Sequence, residues 1–154
     1  MLEKEIIRSK LEKEKLLNLA TKGEKHPDNS VVCYAFDDAL CLYFGSYSDT
    51  LKCKNIAHHN VVAITVGTLQ IHGKARLIEY GTKEYYFGRT VYDNRFPQYK
   101  EVFAFQENEL YKVEPLVIWN YNPSKGEMHR DVLILDDEYY NSLDVYVPHK
   151  YQAR

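Results

Sequence analysis

The chain is poor in the residues that staple a fold or interrupt it. Its three cysteines, Cys33, Cys41 and Cys53, are odd in number and show no C-x-x-C spacing. That pattern excludes a disulfide framework and fits free thiols packed in a reducing, cytoplasmic compartment. No repeat of fixed period, low-complexity run or interdomain linker is visible. No apolar run approaches the length that spans a bilayer, and Met1 to Leu17 alternates acids with bases where a signal peptide would need an apolar core. Neither a membrane nor an export route is therefore expected. A formal net charge of −2 supplies no excess positive field for a phosphate backbone, which argues against nucleic acid as a partner.

Catalytic signatures are also missing. There is no H-E-x-x-H, G-x-S-x-G, Walker or dinucleotide-binding glycine pattern, so zinc protease, hydrolase and nucleotide-triphosphatase readings have no support. His58 and His59 are adjacent, and neighbours on a helix point about 100 degrees apart, which makes them a poor metal pair. The acidic pairs Asp37-Asp38 and Asp136-Asp137 are better explained by turn chemistry. No metal site is expected.

What is present reads as one soluble domain, 1–154, with 45% hydrophobic and 27% charged residues. Fourteen tyrosines suit half-buried strand surfaces, interfaces or ligand sites, because the ring is apolar and the hydroxyl tolerates water. Leu2 to Leu17 reads as a charged amphipathic helix with Leu2, Ile6, Ile7, Leu11, Leu16 and Leu17 on its apolar stripe. A turn cluster follows at Gly23, Pro27, Asp28 and Asn29.

Ser30 to Phe36 and Leu40 to Tyr47 form one expected hairpin around Asp37, Asp38 and Ala39. Asn60 to Val66 and Leu69 to Tyr80 form another around Gly67 and Thr68, a pair suited to a type II′ turn. Thr50 to His59 between them can form a short helix. Lys83 to Phe105 reads as a helix with Tyr86, Phe87, Thr90 and Val91 on one face, broken at Pro97. Glu109 to Tyr121 is strand-like with Pro115 marking an edge or a bulge, and Asp131 to Leu135 is a last strand.

From Leu69 the alternation is regular. Leu69, Ile71, Gly73, Ala75 and Leu77 point one way, and Gln70, His72, Lys74 and Arg76 the other. The polar side is either a solvated outer face or a binding surface. Gly73 in mid-strand implies a bulge or the close approach of a backbone or ligand.

The order of these pieces resembles a known family. The first hairpin, S-D-T-L-K-C-K-N-I from Ser48 to Ile56, N-V-V-A-I-T-V, L-Q-I-H-G-K-A-R-L-I from Leu69 to Ile78 and L-Y-K-V-E-P-L-V-I-W from Leu110 to Trp119 together resemble the FMN-binding split barrel of the pyridoxamine-5′-phosphate-oxidase-like superfamily. R-F-P, from Arg95 to Pro97, is similar to a small uncharacterised branch of it.

The resemblance implies a mainly β protein: a six-stranded, partly open antiparallel split barrel with a Greek-key connection and flanking helices, a helix over 1–17 and a C-terminal extension over 122–154. It also implies a homodimer holding FMN between its subunits, with F420 and haem as alternative cofactors. The implied activity is an FMN-dependent oxidoreductase of unknown substrate. The alternative is a non-catalytic flavin- or haem-binding, stress-response module. No catalytic residue is assigned.

The resemblance also places cofactor-binding residues. Lys52 stands at the lysine that holds the flavin phosphate, with Ser48 and Thr50 as hydroxyl donors, while Leu51 replaces the usual arginine. Backbone groups of the strand around Val32, Cys33 and Tyr34 are implied to meet the flavin's polar edges. Gln70 takes the place of the glutamine that contacts the ring, and Trp119 either covers the ring from the partner subunit or belongs to the barrel core. His129 matches the oxidase's R-x-H element, but Glu127 replaces its arginine. An anion there repels a substrate phosphate, so oxidation of pyridoxamine phosphate is not expected.

Overall fold

A strand that begins where a helix was expected sets the layout. Leu17, Leu19 and Thr21 are buried while Leu16, Asn18, Ala20 and Lys22 are exposed, a period of two that only a half-buried strand produces. The N-terminal helix accordingly stops well short of residue 17. The structure, a computed structural model, describes residues 1–104 and 108–143. Along these run α1 (Lys4–Lys13), β1 (Leu16–Lys22), β2 (Pro27–Cys33), β3 (Ala35–Phe36), β4 (Leu42–Tyr47), α2 (Leu51–His58), β5 (Val61–Val66) and β6 (Leu69–Leu77). After them come α3 (Lys83–Arg95), a 3-10 segment (Pro97–Ala104), β7 (Asn108–Tyr121), β8 (Arg130–Ile134) and α4 (Asp137–Ser142).

The strands form one curled antiparallel sheet in the order β2-β1-β5-β6-β7-β4-β3, with β8 added to the second half of β7. The split-barrel class stands, with eight described strands in place of the expected six. The additional ones are β1, hidden within the supposed helix and turn, and β3, cut from β2 at Tyr34. β2 pairs with β1 rather than with β4, so the first expected hairpin survives only as the two-residue contact of β3 with β4. β8 and α4 lie within the stretch read as an extension; residues 144–154 of that stretch lie outside the described residues. No helix among the described residues is long and apolar enough to cross a membrane.

The β5–β6 hairpin turns at Gly67 with φ +54°, while Thr68 stays out of the left-handed region, as a type II′ turn requires. Gly73 and Pro115 meet directly across β6 and β7, with a register shift between His72 and Gly73. A Cβ on Gly73 would strike the Val113 side chain and the Glu114 carbonyl. The bulge accommodates a residue that has no N–H to give to the ladder.

Two apolar layers result. Inside the barrel, Leu19, Leu42, Phe44, Ile64, Ile71 and Val113 pack together, and α1 contributes Ile7 and Leu11 to the same cluster. Outside it, Tyr43 and Leu110 are covered by α3 through Tyr85 and Tyr92 and by Phe103 of the 3-10 segment. α3 turns Tyr85, Gly88 and Tyr92 inward and leaves Tyr86 and Phe87 exposed, against the face expected from the sequence. Gly88 decides this, because its missing side chain lets the helix settle onto the Tyr43 ring and Leu110.

Arg95, the last residue of α3, joins the layers. Its guanidinium donates to the carbonyls of Leu11, Glu12 and Glu14 at the end of α1 and to the Tyr34 carbonyl, and lies against the Tyr34 and Phe36 rings. A planar fork can serve several carbonyls at once, whereas a lysine offers a single point charge. Arg95→Met is expected to lower unfolding stability by about 2–4 kcal/mol in urea denaturation, with Arg95→Lys recovering less than half of the loss. Equal stability of Arg95→Met and wild type would remove the arginine from this role.

Candidate cofactor-binding site

The chain leaves β4 for α2 through a turn that Thr50 ties back to the end of β4. Thr50, the N-cap residue, donates its hydroxyl to the Tyr47 carbonyl at 3.0 Å and shares a hydrogen bond with Ser46 at 3.1 Å. It therefore makes no side-chain cap on α2. The backbone N–H of Lys54 bonds to the Thr50 carbonyl, but those of Leu51, Lys52 and Cys53 have no acceptor among the described residues. Ser48 is exposed and Lys52 half-buried, and the Lys52 ammonium has no ion-pair partner among the described residues. An exposed serine, three open amides and an unpaired cation together can hold an anion.

α2 packs against β1 and β2, and β2 approaches β4 across the open seam of the barrel. β2 is an edge strand. The Tyr34 amide bonds to the Lys15 carbonyl, and alternation in an antiparallel ladder then turns Val32 toward β1 as well. The backbone groups of Val31 and Cys33 face the free edge. Of the residues expected to offer backbone contacts, Cys33 thus has its peptide groups available, while Val32 turns its own toward β1 and Tyr34 gives its amide to the Lys15 carbonyl and its carbonyl to Arg95. The side chains of Val32 and Tyr34 lie in the barrel core, and the Tyr34 hydroxyl donates to the Leu11 carbonyl at 2.6 Å. Burial pushes that phenol up to about 12, with the Arg95 charge opposing.

Gln70 and Trp119 are placed elsewhere. They are direct cross-strand partners on the outer face of β6 and β7, three and four strands from β2 in the sheet. Trp119 is 2% exposed, with the His72 ring edge-on at 5.0 Å. His72, which has no role expected from the sequence, shares a hydrogen bond of 2.7 Å with the Tyr139 hydroxyl and so pins α4 to the sheet. Burial lowers its pKa. Beside it, a cavity of about 250 Å³ is lined by His72, Tyr139, His59 and residues of β1 and β5, Lys22 among them.

His129 serves the β7–β8 hairpin. Its Nε2 lies 2.8 Å from Asp131, which also binds Lys125 at 2.9 Å and Asn122 at 3.0 Å. Burial opposes ionisation of Asp131, but these three hydrogen bonds prevail and hold its carboxyl well below the usual range. Glu127 offers its backbone carbonyl to the Tyr121 hydroxyl.

This architecture recurs among solved structures. A pyridoxamine 5′-phosphate oxidase-related, FMN-binding protein of Nostoc punctiforme is similar with a TM-score of 0.65 and 14% identity, covering 88% of this chain and 91% of its own. The fold is the split barrel. A putative pyridoxamine 5′-phosphate oxidase of Listeria innocua has a TM-score of 0.61 at 17% identity, with 86% and 98% covered. HutZ, the haem storage protein of Vibrio cholerae, has a TM-score of 0.62 at 14% identity, with 87% and 95% covered. No family model matches the sequence, and no curated protein matches it either.

The His72 contact carries a pH dependence. Its folded pKa lies below the ordinary 6.5, so the unfolded chain takes up the proton more readily. Stability due to neutral His72 is fully present above pH ~6.5 and is lost as pH falls through that value toward the folded pKa. Urea midpoints are expected to drop between pH 7.5 and 5.5, and to drop less in His72→Gln. Identical drops in the two proteins would assign the effect to other groups.

Proposed function

We propose that the protein binds FMN as a homodimer and acts as an FMN-dependent oxidoreductase. The observation that carries this reading is the start of α2, where the unpaired Lys52 ammonium, the exposed Ser48 and the open amides of Leu51, Lys52 and Cys53 gather beside the free edge of β2. These residues fit a phosphate monoester, which seeks a cation and several donors at a helix start. The Val31 and Cys33 backbone would pair with the polar edge of the flavin ring. Bound FMN would supply the electron and hydride transfer, and the chain's own residues would hold and orient it. The likeness in fold to an FMN-binding protein supports the same reading.

The position of Gln70 supports the dimer. On the outer face of β6 it would reach a flavin at β2 from a second chain, whereas Trp119, 2% exposed with His72 against it, belongs to the packing of the sheet. Sedimentation at micromolar concentration is expected to show a dimer that persists on dilution. A monomer alone would overturn the shared site.

Lys52 carries the phosphate charge without the usual arginine, since Leu51 takes that place. Lys52→Ala is expected to weaken FMN binding by about ten- to a hundredfold, from roughly 1.5 to 3 kcal/mol for a charge-assisted hydrogen bond, while riboflavin affinity hardly changes. Flavin fluorescence titrations of both proteins with both ligands measure this. Equal losses for the two ligands, or none, would leave Lys52 an ordinary surface lysine.

A second reading, haem binding, is supported by the likeness in fold to HutZ. The absorption spectrum of freshly purified protein separates the two, because oxidised flavin shows two broad bands of similar height whereas haem shows a single, far more intense Soret band.

A further inference from the structure

Away from the start of α2, a cleft of about 710 Å³ opens between α3 and the 3-10 segment. This is within the size range of small-molecule sites. We propose that this cleft binds a planar nitrogen heteroaromatic carrying an amino or amide group and no phosphate. The proposal is independent of the flavin reading, because it shares no residue with the flavin site.

The floor is Arg89. Its guanidinium lies 4.4 Å from the Phe103 ring centroid and donates to the Tyr85 hydroxyl at 3.1 Å, to Asp93 at 3.2 Å and to the Lys100 carbonyl at 3.2 Å. Four partners fix it in place. Arg89 and Asp93 are both mostly buried, each side chain 18% exposed, so their charges cancel where water screens little. At the rim, the Lys100 ammonium and the Glu101 carboxylate oppose each other in sign. The site thus offers no net charge to a phosphate, and its aromatic floor is already occupied by a cation, which disfavours an ammonium ligand.

What remains free is aromatic surface with acceptors beside it. Tyr80 and Tyr86 line the cleft with 77% and 57% of their surface exposed, and both rings lean on the buried Tyr85 at 5.0 and 5.7 Å. Large exposed rings with this support are stacking platforms, since every heteroaromatic has a π-face. Asp93 spends its two oxygens on a single Arg89 nitrogen, which leaves each with a lone pair for a ligand N–H. Stacking walls, carboxylate acceptors and zero net charge select an uncharged, amino-bearing ring system.

Saturation-transfer NMR with adenosine and adenosine monophosphate as probes tests this on the full chain, both as purified and with added FMN. Adenosine is expected to bind at millimolar concentration or tighter, to bind better than the monophosphate, and to bind alike with and without FMN. Tyr86→Ala, an exposed position that leaves the core alone, is expected to weaken adenosine by roughly five- to a hundredfold. Asp93→Asn unmasks the Arg89 charge and is expected to reverse the preference in favour of the monophosphate. Absence of adenosine binding, monophosphate preferred by the wild type, competition by FMN, or unchanged binding in Tyr86→Ala would each overturn the proposal.

Discussion

One arginine holds the ends of three elements. Arg95 closes α3, receives the last carbonyls of α1 and grips the backbone at Tyr34, the point where β2 gives way to β3. Helix ends leave carbonyls unsatisfied, and burying them without donors is costly. Because one guanidinium supplies those donors, α1 can end abruptly after Lys13 and hand the chain to β1. The edge strand β2 keeps its direction for the same reason, and with it the free peptide groups of Val31 and Cys33. The backbone presented at the free edge of β2 therefore depends on an arginine from the far end of α3.

The barrel presents two surfaces to different chemistry. Near the seam between β2 and β4 it offers backbone donors and a free cation. On the far side, β6, β7 and β8 present the Gln70-His72-Trp119 face, partly covered by α4. The two surfaces lie on different strands of the one sheet. The α3 layer stands apart from both, and Arg89 there uses the same stacked, forked geometry that Arg95 uses at the helix end.

Much of this was legible in the sequence. The β5–β6 hairpin, the helix after β4 and the alternating faces of β6 from Leu69 to Ala75 follow from local pattern and turn chemistry. Gly73 and Pro115 each signalled an irregularity, and they prove to be two sides of one bulge. Leu77, in contrast, is exposed where the alternation would bury it. β1 was illegible because Leu16 and Leu17 continue an apolar stripe that a helix could also use, and only the tertiary pairing with β2 and β5 selects a strand. The inward face of α3 was missed because its decisive residue is Gly88, whose contribution is the absence of a side chain. Within the candidate site, Lys52 could be named from its place in the chain. That it would be unpaired, and that Val32 and Tyr34 would turn their peptide groups away from the edge, depends on ladder phase, which no single residue encodes.

The Gly73–Pro115 bulge makes β7 two strands written in different phase. Before it, Tyr111 and Val113 face the barrel interior; after it, Ile118 does, so the inward positions change from odd to even. The run Leu116-Val117-Ile118-Trp119 is buried throughout because it spans the change of phase and then has packing on both faces. In genetic terms the strand has a reading frame. Removing one residue from either arm, for example Lys112, would leave composition and strand propensity almost untouched, yet would turn the rest of that arm inside out and move Tyr111 to the outer face; removing Leu116 would instead delete the bulge and join the two arms in a single phase. Insertions and deletions should accordingly be tolerated in the β7–β8 turn and purged from the arms of β7, although both lie in the same short stretch of chain.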